Sequence, residues 1–353
     1  MAPLDSTISM SSASASTMVE KLAPIWRSIL KRSDFGVDDS FFSLGGNLWT
    51  ADRMFAEITR QLGRELPSAT VFHAQTLAAL ATVLSQPTLP KFSPFIPLKA
   101  GREETPIVIT PGLNGCASFA GLAKSIQTDH PIYGLQAKGV DGLEEPFARV
   151  EDMADFYLHA LGDLPSDAYI LVGYSFGGLV ALEMAQRLVE SQKQVPLLVL
   201  IDAYPHPRFL SRGQRLRLTL RRAARHVSEM KQRSIGDAIS YLTKGIQRRL
   251  HLGKIGGDVL PQETSLVGFA RTTLAVKARC HAAMGCYNPK FYSGKITFVK
   301  SASDNYFPSD PVAVWANLAS SIEVETVAGD HLNIVTTHFE GLAAAITRYL
   351  AKA

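Results

Sequence analysis

The most constraining feature of this sequence is a serine between two glycines, at a point where a strand pattern changes into a helix pattern. The motif Gly173-Tyr174-Ser175-Phe176-Gly177 follows an apolar run at 169–172 and begins a helical pattern at 176–189. A strand that turns sharply into a helix holds such a serine in a strained backbone and raises its hydroxyl above the sheet edge. The pattern therefore predicts Ser175 as a nucleophile.

From about residue 106 onward, the chain alternates strand patterns with helix patterns. Such alternation is typical of a parallel sheet with helices on both faces, so we predict an α/β fold with a doubly wound, mostly parallel sheet. The predicted strands are 107–110, 132–136, 169–173, 197–201, 295–300 and 322–327, and the predicted helices are 119–126, 150–161, 176–189 and 339–350.

A serine hydroxyl needs a base, and three histidines lie near or after the last predicted strands. His331 follows directly on the strand pattern that ends at Val327, whereas His338 lies near the final helix and His281 lies in a long insertion. In this architecture the partners follow the serine in the order acid, then histidine. We therefore predict that His331 is the base.

Two aspartates follow predicted strands and could orient the imidazole. Asp202 ends the apolar run 197–201, and Asp304 follows the strand pattern 295–300. The residues alone do not decide between them. Asp330 directly precedes His331, and we interpret it as a turn residue.

An acyl transfer by Ser175 also needs backbone N–H groups that stabilise the oxyanion. The first is expected from Phe176, directly after the serine. The second is expected from the glycine-containing loop that follows the first strand, at Gly112 or Leu113.

The residues before 106 read as a separate, smaller unit. Helix patterns at 19–31, 49–62, 69–73 and 77–84 predict an all-α domain of four helices at 18–86. A Ser/Ala/Thr-rich stretch at 1–17 predicts a disordered tail without a secretory signal, and the prolines at 87–105 predict a linker. The α/β domain is expected at 106–353.

Composition limits the partners of this chain. The three cysteines, Cys116, Cys280 and Cys286, lack metal-ligand or disulfide spacing, so we predict structural thiols, no metal and a cytoplasmic location. No apolar run is long enough to span a membrane. Residues 208–254 contain 13 Lys or Arg and only two acids, which suggests an acidic partner or a phosphate-bearing substrate. No nucleic-acid signature accompanies this charge, so we predict no nucleic-acid partner.

The second unit resembles the type I thioesterase domains of nonribosomal peptide and polyketide synthases, which belong to the α/β-hydrolase superfamily. The resemblance rests on Pro111-Gly112, Ile132-Tyr-Gly-Leu-Gln136, Tyr169–Gly178 and Gly329-Asp-His331. It implies that the acid is Asp202, with Asp304 as the alternative. It also implies a helical lid at about 207–287.

The lid sequence carries an arginine-rich helix pattern that begins at Gln214. This pattern could form a solvated basic face over the site, or it could bind a phosphopantetheine phosphate or an acidic carrier protein. The arginines concerned are Arg215, Arg217, Arg221, Arg222 and Arg225.

The first unit resembles a peptidyl carrier domain, through the motif Asp38-Asp-Ser-Phe-Phe-Ser-Leu-Gly-Gly-Asn47. The family places a phosphopantetheine-bearing serine directly after this motif. Leu48 occupies that position here, so the resemblance implies a carrier fold that cannot be primed. Neither Ser43, before the glycines, nor Thr50, inside the predicted helix, is expected to replace the serine.

Together, the two resemblances imply a carrier–thioesterase didomain of secondary-metabolite biosynthesis. Ser175 would release an acyl, peptidyl or polyketide chain by hydrolysis or cyclisation, without a cofactor of its own. The chain would arrive on the phosphopantetheine of another carrier protein or synthase module, or as a small thioester. A carboxylesterase, an acyltransferase and a non-catalytic carrier-like interaction module are the alternative interpretations.

Overall fold

The helical unit at the start of the chain contains four helices. In the computed structural model, which describes residues 5–86, 93–113, 115–162, 164, 166–220, 269–303, 307–308 and 310–353, these are α1 (Asp5–Leu30), α2 (Leu48–Leu62), α3 (Thr70–His73) and α4 (Leu77–Ser85). Apolar side chains from all four helices form one core, and Trp26 and Phe41 lie at its centre with essentially no exposure. Burial of these rings stabilises a domain that is otherwise too small to hold much apolar surface.

Helix α1 includes most of the stretch 1–17, for which the sequence predicts a disordered tail. The backbone is helical from Asp5 onward. No glycine or proline lies between Asp5 and Thr17, so nothing in this stretch ends the helix that the apolar residues after Met18 anchor.

Seven strands form one sheet in the order β1-β3-β2-β4-β5-β6-β7, and every neighbouring pair is parallel except β1 with β3. This confirms the predicted doubly wound, mostly parallel sheet. The strands are β1 (Phe95–Lys99), β2 (Ile107–Thr110), β3 (Ile132–Leu135), β4 (Ile170–Tyr174), β5 (Leu198–Ile201), β6 (Tyr292–Ser301) and β7 (Ala319–Val327).

Helices cover both faces of this sheet. They are α5 (Ala120–Ser125), α6 (Val150–Leu161), α7 (Phe176–Glu190), α8 (Phe269–Cys286), α9 (Pro311–Trp315) and α10 (Phe339–Leu350). One apolar cluster joins the sheet to α6, α7 and α8, and a second joins the opposite face to α5 and α10. Strands β2, β4 and β5 are therefore buried along their whole length, which explains their continuous apolar sequences.

Strand β1 lies inside the stretch 87–105, for which the sequence predicts a linker. It pairs antiparallel with β3 at the edge of the sheet, and its register is irregular between Pro97 and Lys99. Proline removes a backbone donor, which an edge strand tolerates because one of its sides has no partner strand. Pro97 is exposed in this position, so its presence indicated a linker where an edge strand exists.

The predicted lid lies between β5 and β6. Its described parts are a short 3-10 turn at Pro207–Phe209, a helical stretch at 212–220, and α8. Arg215 and Arg217 belong to the helical stretch. Residues 221–268 lie outside the described part of the chain, and they include Arg221, Arg222 and Arg225.

Candidate active site

Ser175 occupies a strained corner between β4 and α7. Its backbone angles are φ 53° and ψ −122°, a conformation that non-glycine residues rarely adopt. The corner also requires Gly177, because a Cβ there would approach the carbonyl oxygens of Thr110 and Pro111 to 2.2 Å. A strained corner of this kind is the backbone conformation expected for a nucleophilic serine, and the Ser175 side chain in it is half-buried.

His331 lies on the loop after β7, within reach of the serine. Its Nε2 is 3.1 Å from Ser175 Oγ. The Tyr174 hydroxyl donates a hydrogen bond to the His331 carbonyl oxygen, and the two rings stack with centroids 5.0 Å apart. Phe307 meets the imidazole edge-on, at a centroid distance of 4.7 Å. Two aromatic rings therefore hold the imidazole in place beside the serine.

Asp202 completes the group from the end of β5. The residue is 1% exposed and has a positive φ of 44°. One carboxylate oxygen accepts a hydrogen bond of 2.9 Å from the Ser301 backbone N–H, and the other lies 3.4 Å from His331 Nδ1. The structure thus brings together Ser175, His331 and Asp202. Asp304, the alternative acid, lies outside the described residues.

The other candidates near the site have different surroundings. Asp330 accepts hydrogen bonds from the backbone N–H groups of Leu332 and Asn333, so it stabilises a turn. His338 is exposed directly before α10, and His281 is exposed on α8. Neither histidine makes a described hydrogen bond to Ser175, whose imidazole partner is His331.

An apolar cavity opens beside the serine corner. The residues predicted for the oxyanion site, Gly112, Leu113 and Phe176, all line it. Phe176 is the first residue of α7, so its N–H has no acceptor within the helix. A Cβ on Gly112 would lie 3.3 Å from the Ser175 Cβ, which places this loop directly against the nucleophile. Both segments therefore lie directly next to the serine.

Two thiols lie in or next to this cavity. Burial raises the pKa of Cys116 and of Cys280 to about 12, and Cys280 is part of the cavity wall. The Cys116 thiol donates to the Gln136 side-chain oxygen at 3.2 Å. Both thiols are therefore protonated at neutral pH, which fits the prediction of structural cysteines.

Sequence reasoning missed three aromatic residues around the site. Tyr174 lies inside the serine motif, yet the motif gave no reason to expect its contact with the His331 loop. Phe307 follows a strand by several residues, in a stretch without a pattern. Phe72 comes from the helical unit, and it lines the cavity beside residues of the α/β unit. Local periodicity does not show which units pack together, so no sequence signal could have identified Phe72.

The position expected for phosphopantetheine attachment carries no hydroxyl. Leu48 is the first residue of α2, directly after the N-cap Asn47. The two nearby hydroxyls have local partners, since Thr50 shares two hydrogen bonds with the Asn47 backbone and Ser43 donates to the Ser40 carbonyl at 2.8 Å. The residues at this helix end thus do not fit a covalently attached arm.

The described residues contain no cluster of three or more His, Cys, Asp or Glu side chains that could hold a metal ion. Within that same part of the chain, the helices are too short or too polar to cross a bilayer.

Two family models match the chain. The model described as a thioesterase domain matches residues 105–350, and the model described as a phosphopantetheine attachment site matches residues 20–84. The two matched ranges coincide with the α/β unit and the helical unit described above.

Curated relatives match about half of this chain. A dimodular nonribosomal peptide synthase of Bacillus subtilis (strain 168) is 37% identical over 195 residues, which cover 53% of this chain and 8% of that protein. An indigoidine synthase of Dickeya dadantii (strain 3937) is 36% identical over 166 residues, which cover 46% of this chain and 11% of that protein. The chain thus spans only a small part of the relatives it matches.

Solved structures show the same fold. A four-domain nonribosomal peptide synthetase, holo-AB3403 bound to AMP and glycine, superposes with a TM-score of 0.55 at 20% identity, over 94% of this chain and 26% of that one. The type II thioesterase BorB from the borrelidin biosynthetic cluster gives 0.50 at 17% identity, over 74% of this chain and all of that one. The α/β-hydrolase fold and the preceding helical carrier domain predicted from the sequence are confirmed.

Proposed function

Because the chain belongs to the thioesterase domain family and carries a carrier-type unit before that domain, we propose that it releases acyl chains from phosphopantetheine thioesters. Ser175 forms the acyl-enzyme, and the chain leaves by hydrolysis or by cyclisation in the biosynthesis of a secondary metabolite. The observation that carries this proposal is the contact of 3.1 Å between Ser175 Oγ and His331 Nε2.

The first half of the reaction transfers the acyl group to the serine. Ser175 Oγ bonds to the thioester carbonyl carbon while His331 Nε2 takes the hydroxyl proton. The C–S bond then breaks, and the imidazolium returns its proton to the departing sulfur. Asp202 stabilises the imidazolium, and this role is supported by its buried carboxylate at 3.4 Å from Nδ1.

The second half releases the chain. Water, or a hydroxyl or amine of the acyl chain itself, gives its proton to His331 and attacks the ester carbonyl. The Ser175–acyl bond breaks, and the serine regains the proton. In both halves the oxyanion accepts hydrogen bonds from Phe176 N–H and from Gly112 or Leu113 N–H, as their shared cavity supports.

The acyl group arrives from outside the chain. Leu48 offers no oxygen for a phosphodiester, so the carrier-type unit does not load itself. The substrate is an acyl group on the phosphopantetheine of another carrier protein or synthase module, or a small acyl thioester. Arg215 and Arg217 of the lid offer positive charge for the phosphate or for an acidic carrier surface.

Incubation with an acyl-pantetheine thioester, followed by mass spectrometry of the serine peptide, tests this proposal. We expect an acyl adduct on Ser175 and release of free pantetheine, and neither with Ser175→Ala. A matched oxygen ester is run in parallel. Faster turnover of the oxygen ester would favour a carboxylesterase, and the absence of both an adduct and turnover would refute the thioesterase proposal.

A further inference from the structure

Two neighbouring residues of α3 face different domains. Val71 is fully buried in the core of the helical unit. Phe72 is only 2% exposed, yet it belongs to the apolar cluster that joins the sheet to α6, α7 and α8. The ring of Phe72 therefore leaves its own domain and is buried in the next one.

The backbone and a second ring hold Phe72 in this position. Its N–H donates to the Ala69 carbonyl at 3.0 Å, and its carbonyl accepts from the Gln75 side chain at 3.1 Å. The Phe42 ring stacks on it, with centroids 5.6 Å apart and an interplanar angle of 18°. The two hydrogen bonds fix the Phe72 backbone, and the stacked Phe42 ring restricts the rotamers of its side chain. The Phe72 ring therefore forms a wall of defined shape.

The wall faces the cavity beside Ser175. Phe72 lines the same cavity as Gly112, Leu113 and Phe176, together with Val276 and Cys280 of α8. The free volume of this cavity is about 50 Å³, which is enough for only a few water molecules. The size of each wall residue therefore limits what can enter.

We propose that Phe72 is a specificity-determining residue of the acyl pocket, through which the carrier-type unit limits the size of the acyl group that Ser175 accepts. This inference rests on the proposed thioesterase function. The carrier-type unit, although it lacks an attachment serine, thus influences which acyl groups react, because its Phe72 packs against the acyl pocket. A smaller side chain at position 72 opens the pocket to larger acyl groups, and a larger one closes it.

Acyl-pantetheine thioesters of increasing chain length, from acetyl to decanoyl, test this inference on the full chain. We expect Phe72→Ala to raise kcat/KM for the longest acyl group relative to the shortest by about tenfold or more, since contacts in an apolar pocket discriminate at that level per methylene. Phe72→Trp should move the same ratio in the opposite direction. Val71→Ala is the matched control, because it weakens the core of the same unit without touching the cavity.

Alkyl fluorophosphonates of the same chain lengths give a second readout, since they report the pocket through covalent labelling of Ser175 alone. An unchanged length profile in both Phe72 variants would overturn the inference, and so would the same profile shift in Val71→Ala. Should the wild type label normally but turn over no thioester, the proposed function fails, and the labelling profiles still decide the role of Phe72.

Discussion

The Asp202 carboxylate divides its two oxygens between the backbone and the base. One oxygen accepts from Ser301 N–H, which fixes the carboxylate and leaves the other oxygen facing His331 Nδ1. In the proposed mechanism, a buried carboxylate held in this way keeps the imidazole in the tautomer whose Nε2 accepts the serine proton. The distance of 3.4 Å is long for a hydrogen bond, as is common before substrate binds.

We expect Asp202→Asn to lower kcat by roughly 10²- to 10⁴-fold, because the amide favours the wrong imidazole tautomer while the geometry is preserved. Turnover of an acyl-pantetheine thioester measures this effect. Asp304→Asn is the control, since the sequence offered that residue as the alternative acid, and it should keep close to wild-type kcat. A large loss in Asp304→Asn with little change in Asp202→Asn would reverse the assignment.

The cysteines give a prediction that depends on pH. Burial raises the pKa of Cys116 and of Cys280 to about 12, whereas Cys286 is exposed. Only the thiolate reacts, so iodoacetamide at pH 8 should add one group to the folded protein and three to the unfolded chain, as read by intact mass. The folded state also binds these two protons more tightly, so stability should fall as pH rises from about 9 towards 12. Rapid alkylation of Cys280 in the folded state would contradict this prediction.

The corner between β4 and α7 depends on close contact between elements. A Cβ on Gly177 would approach two backbone carbonyl oxygens of the loop after β2 to 2.2 Å, and a Cβ on Gly178 would approach the Ala203 Cβ to the same distance. Neither a backbone oxygen nor an alanine Cβ can move aside as the end of a flexible side chain can. The two glycines therefore allow α7 to begin against the sheet, where it presents Ser175 and the Phe176 N–H.

Gly177→Ala should destabilise the protein by about 1–3 kcal/mol and abolish labelling of Ser175, because the added methyl group forces α7 away from the oxyanion loop. Thermal unfolding and fluorophosphonate labelling measure the two effects. Gly213→Ala is the matched control, because Gly213 lies in the helical stretch 212–220 with no atom within 4 Å of an added Cβ. That control should be neutral or slightly stabilising. Normal labelling of Gly177→Ala would show that the corner tolerates a side chain.

Strands with uniform burial were predictable from their apolar sequences, whereas the edge strand β1 was not. β2 and β4 are buried on both faces, so their apolar runs identified them directly. β1 was missed because Pro97 normally argues against a strand, and only its place at the sheet edge permits it. The sequence also predicted that Ser175, Asp202 and His331 each follow a strand of the parallel sheet, because the carboxyl ends of parallel strands meet at one edge.

The relation between the two units could not be predicted at the scale of the whole molecule. Motifs identified each unit, because their residues interact within a short stretch of chain. Phe72 enters the second unit, and this contact depends on how two finished surfaces meet. Patterns of 2 or 3.6 residues describe one element, so they contain no information about such a contact.

The last prediction concerns attachment of phosphopantetheine to the carrier-type unit. Incubated with coenzyme A and a phosphopantetheinyl transferase, the wild type should gain no mass, because Leu48 has no hydroxyl and the hydroxyls of Ser43 and Thr50 are engaged in local hydrogen bonds. Leu48→Ser should gain one phosphopantetheine, because Asn47 and Thr50 still cap α2 and present position 48 at its first turn. Leu48→Ala is the control, and it should stay unmodified. Intact mass measures all three proteins. A mass gain in the wild type or in Leu48→Ala would mean that another residue carries the phosphopantetheine arm. The acyl chain would then reach Ser175 from the carrier-type unit of the same chain.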